Sequence, residues 1–240
     1  MIIPEFLSFA TLIICFVTVL FLFRYAGKSG LLIYSALATI IANLQVLKLT
    51  QYALLDSPVA LGTVVFSTTF AVDNILTECY GKNVAKKCIW TSFSSYLFFV
   101  ICMKMAVLHP PVNSNECVDL HSELQKLFSP GFILFISSLI SYVVGQFSDV
   151  TIFSFLKKIF NNKFITLRSL MSMSISTFID NFVFSICAWY IFAEHPVSFA
   201  TLWKTYVFMN YIIRLIVAVC CVPLVKLAVV NSESKDVQKF

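Results

Sequence analysis

The sequence predicts an all-α integral membrane protein, a bundle of about seven (six to seven) transmembrane helices, and three observations predict it. Hydrophobic residues make up 59% of the 240, with 25 Phe among them, and only 12% are charged; this apolar share is well above that of soluble domains. The charges fall in short clusters between long apolar runs. Those runs have the right length, since a bilayer core about 30 Å thick takes about 20 mainly apolar residues per helix. Seven stretches qualify: 6–23, 31–48, 59–78, 89–108, 131–153, 170–192 and 202–225. The longest connection, 109–129, holds Pro110, Pro111 and mixed polar residues, and the tail from Asn231 is short and polar. Neither can bury a core, so residues 1–240 read as a single polytopic transmembrane domain.

The first stretch could be mistaken for a cleaved signal, but it carries Glu5 in place of a basic n-region and runs into Arg24 rather than a small-residue cleavage site. It reads as a retained helix. In the second, Asn43, Gln45 and Lys48 interrupt an apolar helix; Lys48 can snorkel to the interface while Asn43 bonds a neighbouring helix. The third, in FSTTFAVDNILTECYGKNVAKK, places Asp73 with Thr77 and Tyr80, and Asn74 with Glu78, at helical spacing. An acid at membrane depth costs about 2.5–3.5 kcal/mol on insertion scales, so it is paired, faces a cavity or lines a pathway. Glu78 can instead mark the interface. Asp73 is too deep for that and has no basic residue one turn away.

The fourth stretch carries one charged residue, Lys104. The fifth puts Gln146, Asp149 and Phe153 on one face, with Gly145 beside them allowing close approach by a helix or ligand; hydrogen bonding between helices is the plainer use of the same amide and acid. The sixth stacks Ser176, Asp180 and Phe184 at intervals of four near the bilayer centre. Asp180 is the hardest acid to explain structurally. In the seventh, Trp203, Tyr206, Asn210 and Arg214 recur at steps of three, four and four. That spacing predicts a stripe ending in a guanidinium that pairs with an acid or snorkels inward. Most of the Phe side chains read as lipid-facing bulk and packing.

The basic residues give the orientation. Arg24, Lys28, Lys82, Lys86, Lys87, Lys157, Lys158, Lys163, Arg168, Lys226, Lys235 and Lys239 all follow odd-numbered spans, against Lys48 and Lys126 on the other side, which also carries Glu116, Asp119, Glu123 and Glu194. Lys and Arg near helix ends are retained in the cytoplasm, so the N-terminus is expected outside and the C-terminus inside. The net charge of +5 is therefore topogenic and does not point to nucleic acid. The eight cysteines form no CxxC pair or zinc spacing, and most lie in apolar runs as small hydrophobes. His109, His121 and His195 fall in expected loops and no HExxH occurs, so no metal or other cofactor is expected.

In their order, these stretches resemble the queuosine precursor transporter family, also called the vitamin uptake transporter family, whose members import 7-deazaguanine bases. The family's Asp followed five residues later by Glu, then Tyr-Gly and a basic cluster, is matched by Asp73, Glu78, Tyr80, Gly81, Lys86 and Lys87. Its Gly-Gln pair followed by Asp is matched by Gly145, Gln146 and Asp149, its later Asp and Phe by Asp180 and Phe184, and its second-helix Asn and Lys by Asn43 and Lys48. The resemblance covers most of residues 35–225. This chain departs in having only lysines after Tyr-Gly and Arg214 where the family has a last-helix Lys.

The resemblance implies a multi-pass transporter of the bacterial cytoplasmic (inner) membrane, not an enzyme, importing a queuosine precursor for tRNA modification: 7-cyano-7-deazaguanine, 7-aminomethyl-7-deazaguanine or queuine. Such a base offers ring N–H and amine donors beside a carbonyl, which a carboxylate and an amide or cation can meet, and a flat ring that stacks on aromatics. The expected site is one polar cavity lined by Asp73, Glu78, Gln146, Asp149 and Asp180, with Asn43, Asn210 and Arg214 as further members. Asp73, Glu78, Asp149 and Asp180 are candidate proton carriers. Facilitated, proton-coupled and ATP-driven import all fit; in the last case the chain is a substrate-binding subunit with a partner, since it has no P-loop of its own. An intramembrane aspartyl protease needs two such acids too, but Val72 and Ile179 stand where that motif has Gly before its Asp.

Overall fold

The computed structural model describes residues 4–52, 59–112, 114–193 and 195–233; Glu194, Lys235 and Lys239 lie outside them. The first two apolar stretches form a single element, α1 (Pro4–Gln45), broken at Gly27 with φ of 54°, a left-handed value that glycine adopts without a Cβ penalty. The two arms fold back on each other. Ser8 near one end hydrogen-bonds Tyr52, beyond the other, at 2.7 Å, and Gly30 lies against the Leu22 carbonyl where no Cβ would fit. A two-stranded ribbon, β1 (Leu49–Thr50) antiparallel to β2 (Val59–Ala60), leads into α2 (Gly62–Cys79).

Helix α2 is the axis of the bundle: Gly62 through Thr77 are all buried, with α1, α3, α4, α5 and α7 packed around it. Three of its hydroxyls, those of Ser67, Thr68 and Thr69, each donate to a carbonyl of their own helix. Gly81, at φ of 87°, turns the chain into α3 (Lys82–Leu108). Next comes α4 (Asn115–Ile159), 45 residues long and capped by Ser114, whose hydroxyl accepts from the Cys117 N–H at 3.3 Å. The expected connection over 109–129 is thus largely helical. A cap, the Glu123–Lys126 pair at 2.8 Å and the lack of a breaker before Pro130 carry the helix outward from the span.

Asn161, Asn162 and Phe164, all at positive φ, turn α4 into α5 (Ile165–Ile186), which ends in a π-helical turn, Cys187–Ile191. After α6 (Phe199–Thr201) a second π-helical stretch, Leu202–Met209, leads into α7 (Asn210–Glu233). Five helices are long and apolar enough to cross a membrane. Counting the two arms of α1 separately, and with the polar but enclosed α2, a helix lies on each of the seven expected stretches.

One end of the bundle gathers the turns that carry basic residues. Tyr80 Oη approaches Gly27, Cys79 Sγ lies 3.4 Å from Ser232 Oγ, and Lys157 and Arg168 meet Glu78 there. The ribbon and the Ser8–Tyr52 contact mark the opposite end. Arg168, one of the basic residues that gave the orientation, also has a role inside the bundle: it is wholly buried and its guanidinium pairs with Glu78.

Candidate functional site

The polar side chains of the core form three layers along α2. Nearest the ribbon end, Asp180 on α5 is ion-paired with Arg214 on α7, as the expectation of an acid partner for Arg214 required. Both are buried. Gly145 on α4 stands directly against Asp180, the close approach for which a glycine was expected there. The pair uses one oxygen and one nitrogen, leaving Asp180 Oδ1 and Arg214 Nε without a hydrogen-bond partner among the described residues. Arg214 also lies over the Phe66 ring at 5.4 Å, a cation–π contact.

Asp180 and Arg214 border a half-open cavity of about 40 Å³, together with Asn43, Phe66, Ser141 and Phe184. A space of that size holds about a water molecule and is far below the ~300–1,000 Å³ of ordinary ligand pockets. The chemistry is nevertheless that of a recognition site, with an acid, a guanidinium, an amide, a hydroxyl and two rings on one small surface. Asn43 donates to the Thr39 carbonyl of its own helix at 2.8 Å rather than to a neighbouring helix, which leaves its side-chain oxygen for other partners.

In the middle layer Gln146 Nε2 donates to Thr69 Oγ1 at 2.5 Å. Asn74 and Ser172 are hydrogen-bonded at 3.2 Å. Asp73 and Asp149 are enclosed beside them, and none of their carboxylate oxygens has a hydrogen-bond partner among the described residues. Ser172 and Ser176 stand next to Asp149; the Ser176 hydroxyl, however, donates to the Ser172 carbonyl at 2.7 Å.

The third layer closes the basic end. Arg168 grips Glu78 with two parallel hydrogen bonds, 3.0 and 3.1 Å long, and donates to the Lys163 and Asn162 carbonyls. Lys157 adds a second contact to Glu78 at 3.1 Å. The Arg168 guanidinium lies 5.1 Å from the centre of the Phe153 ring.

The eight expected residues therefore do not share a single cavity in this conformation. Asn43, Asp180 and Arg214 line the cavity described above; Asp73, Gln146 and Asp149 sit a layer deeper, and Glu78 is bound in the ion-pair layer. Asn210 does not line the cavity; its amide donates to the Tyr206 carbonyl at 2.9 Å. The physical reason is the π-helical stretch before it, whose i→i+5 hydrogen bonds change the helical register on which the expected stripe was built. Trp203 consequently packs on Phe182 and Tyr206 stacks on Trp189 at 4.6 Å. The Val207 carbonyl, which takes the Asn210 N–H, also accepts from the Asn181 amide at 2.7 Å.

Sequence reasoning overlooked Ser141, Phe66, Asn181 and the inward role of Arg168. Only Arg168 had a signal. Four basic residues follow the fifth span, and Glu78 needed a partner.

A sequence model described as "Putative vitamin uptake transporter" matches residues 60–228 of this chain. The chain is also 30% identical, over 214 residues covering 88% of each protein, to a protein of Bacillus subtilis (strain 168) named "Probable queuosine precursor transporter". No solved structure matches the chain.

Proposed function

From the premise that the chain belongs to the vitamin uptake transporter family, we propose that this multi-pass membrane protein imports a 7-deazaguanine base, a queuosine precursor, across a bacterial cytoplasmic membrane. The single observation that carries the reading is the Asp180–Arg214 pair on the cavity, with one acceptor and one donor left open and Phe66 and Phe184 beside it. The carboxylate suits the paired N–H donors of such a base, the guanidinium its carbonyl, and the rings its flat faces. The relative's name supports the substrate class.

Import requires the small cavity to widen toward one side and then the other. Glu78, Arg168 and Lys157 form the closure at the basic end, which the distribution of Lys and Arg assigns to the cytoplasm. Asp180 selects the base and Arg214 balances its charge while the site changes exposure. The base itself crosses chemically unchanged in this cycle, which fits a transporter rather than an enzyme.

Expression in a bacterial host unable to make or import these bases tests the reading. Queuosine should return to the host's tRNA when 7-cyano-7-deazaguanine, 7-aminomethyl-7-deazaguanine or queuine is supplied, and the comparison ranks the three. Unmodified tRNA at saturating base, with the protein demonstrated in the membrane, refutes it.

A further inference from the structure

Asp73 on α2 and Asp149 on α4 are carboxylates that no cation answers among the described residues. They are 1% and 0% exposed, their four oxygens lack hydrogen-bond partners among the described residues, and they are near enough for their charges to interact. Cys88 approaches Asp73 from α3 and Tyr142 from α4. Ser35 of α1 adjoins both Cys88 and Tyr142, and Ser172 and Ser176 approach Asp149 from α5. The guanidiniums on the neighbouring elements are engaged elsewhere, Arg168 of α5 with Glu78 and Arg214 of α7 with Asp180.

Two bare carboxylates in so dry a place repel each other and lose their hydration, so the arrangement calls for a cation between them. A metal ion needs several oxygen ligands at fixed distances. Among the described residues no third His, Cys, Asp or Glu joins the two acids in a group that could hold one. A proton needs one oxygen.

We infer that Asp73 and Asp149 form a proton-binding site, distinct from the Asp180–Arg214 cavity, that loads a proton from one face of the membrane and releases it at the other as the bundle alternates. On loading, a carboxylate oxygen gains an O–H bond and one negative charge is neutralised; on release the carboxylate returns. The pair lies between the cavity and the Glu78–Arg168 layer, as the order Phe66, Asp73, Glu78 along α2 and Asp180, Ser176, Arg168 along α5 requires. The inference rests on the import reading above. With an uncharged base each cycle then moves net positive charge inward.

Purified protein in liposomes, with labelled 7-cyano-7-deazaguanine as the probe, tests it in three arms: a pH gradient acidic outside, a sodium gradient at equal pH, and counterflow at equal pH. The wild-type protein should concentrate the base under the pH gradient and not under sodium alone. Asp73→Asn and Asp149→Asn should keep counterflow while accumulation falls to the no-gradient level. Wild-type counterflow without response to the pH gradient, or accumulation that follows sodium, overturns the proton site and leaves the import reading standing. Variants that accumulate like the wild type overturn it as well, and so does loss of counterflow in inserted variants, which would put the two acids in substrate binding. Absence of both counterflow and accumulation in the wild type overturns import itself and this inference with it.

Discussion

A Cβ built on Gly145 would lie 2.6 Å from the Cβ of Asp180, so the position of the buried acid depends on the absence of a side chain on the facing helix. Gly145→Ala should push Asp180 away from α4 and out of line with Arg214. Overpacking of this kind costs about 1–3 kcal/mol, while the gain in helix propensity is about 1 kcal/mol. The expected outcome is a strong fall in uptake with a modest loss of stability, measured by base uptake and by thermal unfolding in detergent. Uptake equal to the parent would mean that Asp180 does not need its present place.

Removing one member of the Asp180–Arg214 pair strands the other in the bundle, a loss of about 3–5 kcal/mol for buried pairs. Asp180→Asn and Arg214→Gln should each abolish uptake and also lower the amount of folded protein. The double variant should regain folded protein, since no charge is left unpaired, but not uptake. Quantitative membrane blots beside uptake assays separate the two effects. A double variant that transports would remove the pair from substrate recognition.

How far the sequence reached is clear from particular residues. Spans were legible because lipid imposes length and apolarity, and even α2, with its buried polar groups, lies on the apolar stretch 59–78. The inward acids were legible because burial of charge is so unfavourable. The outward extension of α4 from Asn115 was not, because an exposed polar helix and a polar loop have the same composition. That Asn210 stays off the small cavity was not legible either, because the switch to π-helical hydrogen bonding over Leu202–Met209 leaves no periodic trace. The layering of Asp73, Asp149 and Asp180 depends on helix offsets, which periodicity within one helix does not contain.

Orientation can be checked independently. With the basic turns at one end of the bundle and that end in the cytoplasm, a fluorescent protein fused after Phe240 should be bright and alkaline phosphatase at the same place inactive. A phosphatase fused in the 109–114 connection should be active. The reverse pattern would invert the direction assigned to every step of transport.

The last prediction concerns the ion-pair layer. Arg168 is buried, holds Glu78 through two hydrogen bonds and donates to the Asn162 and Lys163 carbonyls, so it fastens the α4–α5 turn to the end of α2. Arg168→Lys keeps the charge but loses the fork that makes paired bonds to a carboxylate. It should lower thermal stability, and Glu78→Gln should do the same, because a hydrogen bond to a charged group contributes about 1.5–3 kcal/mol. If this layer is also the cytoplasmic closure, a cysteine placed at Thr77 should react faster with a membrane-impermeant maleimide added from the cytoplasmic side in the Glu78→Gln background than in the parent. Equal labelling rates, with the same loss of stability, would mean that the layer holds the fold together without gating the path.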